Sequence, residues 1–410
     1  MTMAKKNNLT VGLDIGTYKV CAVVGEMGEH GVEIVGVGTH PSHGLRKGVV
    51  INIESTVNSI KRAIEEAEIM AGCEIHTAFT GIAGGHVKGF NSHGVVAVKN
   101  KEITKGDIER VMDAAKAVAI PMDREILHIL PQEYLIDDQD GIKEPLGMSG
   151  VRLEAKVHIV TGAVTSAQNI IKCCNRTGLN VADFVLEPLA SSEAVLTPEE
   201  KELGVVLVDI GGGTTDIALF QDGAVKNTAI LSVGGNHLTN DIAKGLHTPI
   251  AEAERIKQRY GYARVAMAAK DEDVEVPSMG GRNPRTISRE ILCEIIEPRL
   301  EEIFQLIQRE IAKSGQEDSL ASGMVMTGGS TLLPGMIEMA EEIFNMPVRM
   351  GIPSHVGGLI DVVSSPAYAT GVGLVLYGIG RQDKNHFRMQ EGNAFIKVRN
   401  RMTEWFSEFF

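Results

Sequence analysis

The sequence predicts an α/β protein of two similar lobes that face one shared cleft. Three observations predict it. Apolar, strand-like runs alternate with segments of helical periodicity. Two of those runs, LTVGLDIGTYKVCAVVGEM at 9–27 and VVLVDIGGGTTDIALF at 205–220, break at an Asp-Ile-Gly turn and then resume as strand. The two aspartates, Asp14 and Asp209, stand 195 residues apart in a chain of 410, which leaves room for several subdomains.

In the second run Gly211, Gly212 and Gly213 lack side chains, so the backbone can turn sharply, adopt positive φ and present its N–H groups. A glycine-rich hairpin turn and a phosphate cradle both satisfy that pattern. Asp14, Ile15, Gly16 and Thr17 answer Asp209, Ile210, Gly211 and Thr214 if the second turn carries two extra glycines. Both motifs continue into strand, VCAVVG and DIALFQDG, where a P-loop or dinucleotide fingerprint has to open a helix. The chain contains no Gly-Lys dipeptide, so the GxxxxGK[ST] loop is absent. Any phosphate here is expected between two hairpins.

The helices follow from spacing. STVNSIKRAIEEAEIMAG sets Val57, Ile60, Ile64 and Ala67 on one face, with a Ser55 cap and a Gly72 stop. EITKGDIERVMDAAKAVAI and SREILCEIIEPRLEEIFQLIQREIAKSG read likewise, the latter as a helix broken or kinked at Pro298. In GMVMTGGSTLLPGMIEMAEEIF, Met324–Thr327 reads as strand and the glycines lead into a helix that Ser330 and Thr331 can cap, either as a turn or facing a polar ligand. FVLEPLASSEAVL and SSPAYATGVGLVLYGIG carry small residues, Ala190, Ser191, Ala367, Ala369 and Gly371, that let helices pack closely. Asp216, two residues beyond Thr214, reads as a residue that pins the hairpin.

Composition narrows the function. A net charge of −13 argues against general affinity for nucleic acid. Five cysteines without CxxC spacing fit neither a zinc site nor a disulfide framework and read as reduced thiols in a cytoplasm. MTMAKKNNLT lacks a secretory core, and no run approaches the ~20 apolar residues of a membrane span.

Phosphate hairpin, connecting helix, second hairpin, adenosine turn and second connecting helix, in that order over about residues 10–380, resemble the superfamily of actin, sugar kinases and seventy-kilodalton chaperones. Within it, GLDIGTYKVCAVVGE, GHVKGFNSHGVVAV, FVLEPLASSEAVL, LVDIGGGTTDIALF and FIKVRNRMTEWFSEFF resemble the FtsA family of bacterial cell-division proteins. The resemblance implies an actin-like two-lobed ATPase fold and ATP with Mg²⁺ between the lobes. It implies that Gly16, Thr17, Tyr18 and Lys19 hold the nucleotide from one hairpin, and Gly211, Gly212, Gly213, Thr214 and Thr215 from the other. Asp14 and Asp209 would organise the metal through waters, as carboxylates suit a hard cation. Gly328, Gly329 and Ser330 match the adenosine turn. Glu254 and Lys257 match the helix that meets ribose and base, and a solvent-exposed ion pair explains that pair equally well. Glu187 stands where relatives orient the attacking water, and turnover is expected to be weak at most.

The same resemblance divides the chain into 1–84 with 163–200 as the first core subdomain, 85–162 as an inserted subdomain, and 201–233 with 301–380 as the second core subdomain. It makes 234–300 a small subdomain, 381–392 a linker and 393–410 a membrane-targeting amphipathic helix. The implied partners are the acidic C-terminal peptide of the tubulin-like protein FtsZ at Arg285, Arg289 and Arg299, other division proteins at 85–162, and further copies of the chain. Each arginine can also be paired internally, with Glu290, Glu297 or Glu301. In the terminal segment Phe395, Val398, Met402, Trp405, Phe406, Phe409 and Phe410 fall on a helical arc of about 140°, with Ile396 at its margin. Residues 381–410 carry six basic and four acidic residues against 34 and 49 in the rest, which suits an anionic membrane surface. The expected role is an adaptor on the cytoplasmic face of the inner membrane at the division site. The alternatives are a pilus-assembly adaptor or a small-molecule kinase of the same fold.

Overall fold

Both Asp-Ile-Gly turns close hairpins at the centre of their own sheets in the computed structural model, which describes residues 9–268, 272–281 and 283–386. The first half opens with β1 (Thr10–Ile15), β2 (Lys19–Gly28) and β3 (Gly31–Pro41), a short hairpin of β4 (Leu45–Arg46) and β5 (Val49–Val50), then α1 (Ile53–Ala71) and β6 (Thr77–Ile82). An insertion follows: β7 (Lys88–Ala97), α2 (Lys105–Lys116), β8 (Arg124–Ile136), β9 (Gln139–Ile142) and β10 (Arg152–Ala163) form a four-stranded sheet with its own apolar core. The chain returns through α3 (Val164–Arg176), β11 (Asn180–Leu186) and α4 (Glu187–Val195), and α5 (Pro198–Leu203) leads into the second half.

That half begins with β12 (Val205–Ile210), β13 (Thr215–Gln221) and β14 (Ala224–Leu231). A smaller lobe follows from α6 (Gly235–Gly245), α7 (Ile250–Tyr260), the pair β15 (Asp273–Val276) and β16 (Arg285–Ser288), and the start of α8 (Arg289–Ser314). Then come β17 (Met324–Thr327), α9 (Met336–Phe344) and β18 (Val348–Met350), before β19 (Val356–Gly358), α10 (Ile360–Val363) and α11 (Ala369–His386) return to the first half.

The sheets run β11-β6-β1-β2-β3-β19 and β14-β13-β12-β17-β18. In each, the Asp-bearing strand pairs antiparallel with its successor on one side and parallel with a later strand on the other. The internal echo in sequence is thus a repeat of topology. The turns are also equal in length: Ile15 pairs with Val20 and Ile210 with Thr215, so each pair encloses four residues. The expectation of two extra glycines in the second turn is corrected accordingly, and Cys21 is the counterpart of Asp216.

Other local expectations change as well. Asn52, not Ser55, caps α1, accepting a hydrogen bond from the Ser55 N–H at 3.0 Å, while Gly72 ends the helix at φ 64° as the sequence indicates. Helix α8 passes unbroken through Pro298 and across position 300. Proline forfeits one backbone bond there, and the burial of Leu292, Ile296, Leu300, Ile303, Phe304, Ile307 and Ile311 along one stripe outweighs that loss. Ser330 and Thr331 do not cap α9. They sit in a single 3₁₀ turn, and Gly335 precedes the helix. Helices α4 and α11 do pack through small residues: a Cβ on Gly373 would lie 1.8 Å from the Ala190 carbonyl oxygen.

The insertion belongs to the first half yet docks on β14 of the second. Gln132 Nε2 donates to the carbonyls of Val225 and Lys226 at 2.8 and 3.0 Å, and Asn91 Nδ2 donates to that of Lys226 at 3.2 Å. The buried His158 joins Asn91 Oδ1 at 2.6 Å to Thr228 Oγ1 at 2.8 Å. Burial holds this imidazole down at about 4, so it bridges as a neutral ring. No helix among the described residues is long and apolar enough to cross a membrane. The segment expected as an amphipathic helix, 393–410, lies outside the described residues, and α11 continues to His386, past the expected start of the linker.

Candidate functional site

A cavity of about 410 Å³ opens between the two hairpin turns, α6 and α7, the 328–333 turn, and the starts of α4 and α11. Asp14, Gly16, Thr17, Tyr18, Lys19, Glu187, Asp209, Gly211, Gly212, Gly213, Thr214, Glu254, Lys257, Gly328, Gly329 and Ser330 all line it. The hairpins meet tip to tip. A Cβ on Gly213 would stand 2.5 Å from Thr17 Oγ1, and one on Gly212 would stand 2.8 Å from Tyr18 Cβ. Residues without side chains are therefore required where the lobes touch. Gly328 is constrained twice over, with φ at 89° and only 2.4 Å between a built Cβ and Asp209 Oδ1.

Behind the glycines lies a group of carboxylates. Asp14, Asp209 and Asp216 are buried and Glu187, at the first position of α4, is partly buried. Asp209 and Asp216 are direct cross-strand partners in the second hairpin, a placement that sets two like charges side by side. Burial pushes Asp14 up to about 7, Lys19 opposing and Asp209 adding to the shift. Burial, and then the charges of Asp14, Asp216 and Asp209, raise Glu187 well above the usual range. Asp216 is raised in the same way, with Asp209 adding to the burial, and its Oδ1 has no hydrogen-bond partner. Asp209 is raised by burial but steadied by Ser191 Oγ at 2.7 Å and Thr370 Oγ1 at 3.2 Å, one from each of the two packed helices α4 and α11.

Such a group suits a cation. Among the described residues no three carboxylates, histidines or cysteines are close enough to hold a metal ion directly. The strain has a measurable sign. Because Asp14 titrates near 7 in the fold against 3.8 ordinarily, the folded protein keeps a proton that the unfolded chain has released, and stability falls as pH rises between those values. The melting temperature of Asp14→Asn minus that of the unsubstituted, ligand-free protein is expected to grow from about pH 4.5 to about pH 7.5. A difference that stays constant with pH would count against the assignment.

The far wall binds differently. Lys257 Nζ lies 2.7 Å from Glu254 Oε2, with side chains only 13% and 17% exposed, so the pair faces the cavity and is not a solvated surface bridge. Thr239 donates to the same carboxylate. Leu238, Leu300, Ile303, Leu332 and Leu333 supply an apolar surface beside it. Ser330 Oγ donates to the Gly211 carbonyl at 3.0 Å, tying the third turn to the second hairpin, and Thr331 closes its own turn on the Gly328 carbonyl.

Several residues stand elsewhere. Thr215 does not line the cavity: strand alternation turns it to the opposite face, where its hydroxyl donates to the Val233 carbonyl at 2.9 Å. The same alternation puts Asp216 in the cavity, so the period of two identifies a residue that spacing to Thr214 alone leaves as a structural pin. Ser191 reads from the sequence only as a small packing residue, and Thr370, Asn236 and Gln258 carry no sequence motif that singles them out. The three arginines have separate partners. Arg285 donates to the Leu246 carbonyl; Arg289 pairs with Glu272 and stacks 3.9 Å over the Tyr262 ring; Arg299 pairs with Asp241 at 2.5 Å and with Glu302. Their partners differ from the glutamates expected, since Glu297 instead accepts from the Val265 N–H at 2.7 Å. Phe395, Ile396, Val398, Met402, Trp405, Phe406, Phe409 and Phe410 lie outside the described residues.

Comparison with known proteins agrees with this architecture. Residues 206–373 match the family described as cell division protein FtsA, and residues 84–161 match the SHS2 domain inserted in FtsA. The chain is 56% identical to cell division protein FtsA of Pseudomonas aeruginosa over 396 residues, 96% of this chain and 95% of that one. It is 45% identical to cell division protein FtsA of Escherichia coli K12 over 386 residues, 92% of each chain. Among solved structures, a PilM–PilN type IV pilus biogenesis complex superposes with a TM-score of 0.66 at 18% identity, over 90% of this chain and 98% of that chain. MreB5 of Spiroplasma citri bound to ADP superposes at 0.53 and 14% identity, over 94% and 99%. These structural likenesses show an actin-like fold and nothing narrower.

Proposed function

This chain belongs to the FtsA family of cell division proteins, and on that premise we propose that it binds ATP with Mg²⁺ in the cleft, associates with its own copies, and ties FtsZ to the cytoplasmic face of the inner membrane. One observation carries the nucleotide reading: two hairpin turns, the second tipped with glycines, meet over a group of carboxylates that are raised by burial and by one another, with Lys19 opposing the shift at Asp14 alone. Backbone N–H groups of the turns would hold phosphate oxygens, with Lys19 beside them. Asp14, Asp209 and Asp216 would hold a hydrated Mg²⁺, which neutralises phosphate charge when bound. Glu254 and Lys257 offer hydrogen bonds to a ribose, and the leucines offer a surface for the base. The ADP-bound MreB5 structure of the same fold supports this reading. Turnover is proposed to be weak at most, with the adaptor role primary.

The small lobe is the proposed acceptor of the acidic FtsZ peptide. Arg285 is its best-placed arginine, because its neighbour is a carbonyl, whereas Arg289 and Arg299 are already paired with carboxylates. The 85–162 insertion is the proposed contact for further copies and later division proteins. The test is recruitment of FtsZ to anionic vesicles by the full chain with Mg-ATP. Arg285→Glu is expected to weaken peptide binding at least about fivefold, since a charge-assisted pair becomes a repulsion, while Arg299→Gln leaves it unchanged. Equal binding by Arg285→Glu and the unsubstituted chain would refute this assignment.

A further inference from the structure

Resting on the reading of the cleft as a nucleotide site, we infer that Tyr18 and Gln258 form a clasp across its mouth that sets how fast the nucleotide leaves. Tyr18 projects from the turn between β1 and β2 of the first half, and Gln258 from α7 of the second. The phenol oxygen accepts from Gln258 Nε2 at 3.0 Å, joining residues 240 apart. The other Nε2 hydrogen goes to Glu254 Oε1 at 2.7 Å, so both amide donors are committed and the carboxamide is held in one orientation. Glu254 is itself fixed by Lys257 and Thr239, so the phenol is moored through this chain to α6.

Tyr18 closes the cleft at both its ends. It stands against Gly212, where a built Cβ would lie 2.8 Å from Tyr18 Cβ and 3.3 Å from its backbone nitrogen, so it covers the phosphate turn. Its ring then crosses to the helix that carries Glu254 and Lys257, and the residue as a whole is 49% exposed. A ligand lying between the hairpins and that helix sits behind this bridge. At the base of the cleft, α4 and α11 are in close contact at Gly373 and Ala190, whereas at the mouth Tyr18 and Gln258 join the halves through their side chains. The Tyr18–Gln258 hydrogen bond must break when the mouth opens. Deleting the bond leaves the phosphate, metal and ribose contacts in place and lowers the barrier to opening.

The test uses the full chain, Mg²⁺ and a fluorescent N-methylanthraniloyl-ATP in stopped flow, comparing the unsubstituted protein with Tyr18→Phe, Gln258→Leu and the double variant. Each single variant is expected to release the nucleotide about fivefold faster, from the ordinary contribution of one partly exposed hydrogen bond. The double variant should release it no faster than Gln258→Leu alone, because Gln258→Leu already removes the bond that Tyr18→Phe deletes. The melting temperature of Tyr18→Phe without nucleotide should stay within about a degree, a result that a purely structural role for the hydroxyl would not give. Unchanged release in Tyr18→Phe, or effects that multiply in the double variant, would overturn the clasp while leaving the nucleotide site standing. Failure of the unsubstituted protein to bind the analogue would overturn both.

Discussion

A folded Gly212→Val protein is expected to lose at least about a hundredfold in ATP affinity by calorimetry. The φ of Gly212 lies outside the left-handed region, and the obstacle to valine is space. The first added carbon already meets Tyr18 Cβ at 2.8 Å and Asn236 Oδ1 at 3.4 Å, and the two methyls extend into the gap between the hairpins. Overpacking of this kind costs about 1–3 kcal/mol, and each 1.4 kcal/mol is about tenfold in affinity. Loss of the phosphate's backbone contacts adds to that. Circular dichroism should show an intact fold. Affinity equal to that of the unsubstituted chain would remove phosphate from the 211–213 turn.

Trp405→Glu combined with Phe406→Glu is expected to release the full chain from anionic vesicles almost completely, with ATP affinity unaltered. Phe406 falls inside the apolar arc and the chain's single tryptophan at one edge of it, and each ring contributes about 1.5–3 kcal/mol when buried. Two carboxylates in their place must be desolvated and are repelled by the lipid headgroups, so the partition coefficient should fall more than about a hundredfold. Raised salt should weaken the unsubstituted protein's binding only in part, because the basic residues of the tail are screened while the apolar face is not. Undiminished co-sedimentation of the double variant would indicate that the tail docks on the protein's own core instead of the membrane.

Much of the fold was legible because its signals are local. Asp-Ile-Gly between apolar runs marks each hairpin, and glycine at 72 marks the end of α1. The two connecting helices betray themselves by small residues, which only a close helix pair requires. What escaped is set by the tertiary surroundings. Continuity of α8 through Pro298 depends on a stripe of apolar residues finding a core, and nothing near the proline signals it. The shared turn length of the hairpins is hidden because Thr17, Tyr18 and Lys19 occupy in one half what Gly212, Gly213 and Thr214 occupy in the other. At the site, Asp216 was recoverable from strand alternation, whereas Ser191 read as a packing residue and Thr370 had no signal until α4 and α11 bring them from 179 positions apart to within 3.0 Å of each other, on one carboxylate.

The docking of the insertion on β14 bears on how the protein avoids precipitation. β14 is the edge of the second sheet, and register slips opposite Phe220 so that Lys226 bulges out of the ladder. A bare edge would offer free carbonyls to any extended segment and template aggregation. Here Gln132 and Asn91 occupy the carbonyls of Val225 and Lys226 with side-chain amides, which satisfy them without extending the ladder. The insertion is thus a lid on a sticky edge. Removing 85–162 to test filament formation would uncover that edge and yield clumps for a reason unrelated to filaments, so self-association is better probed by surface charge changes on an intact insertion.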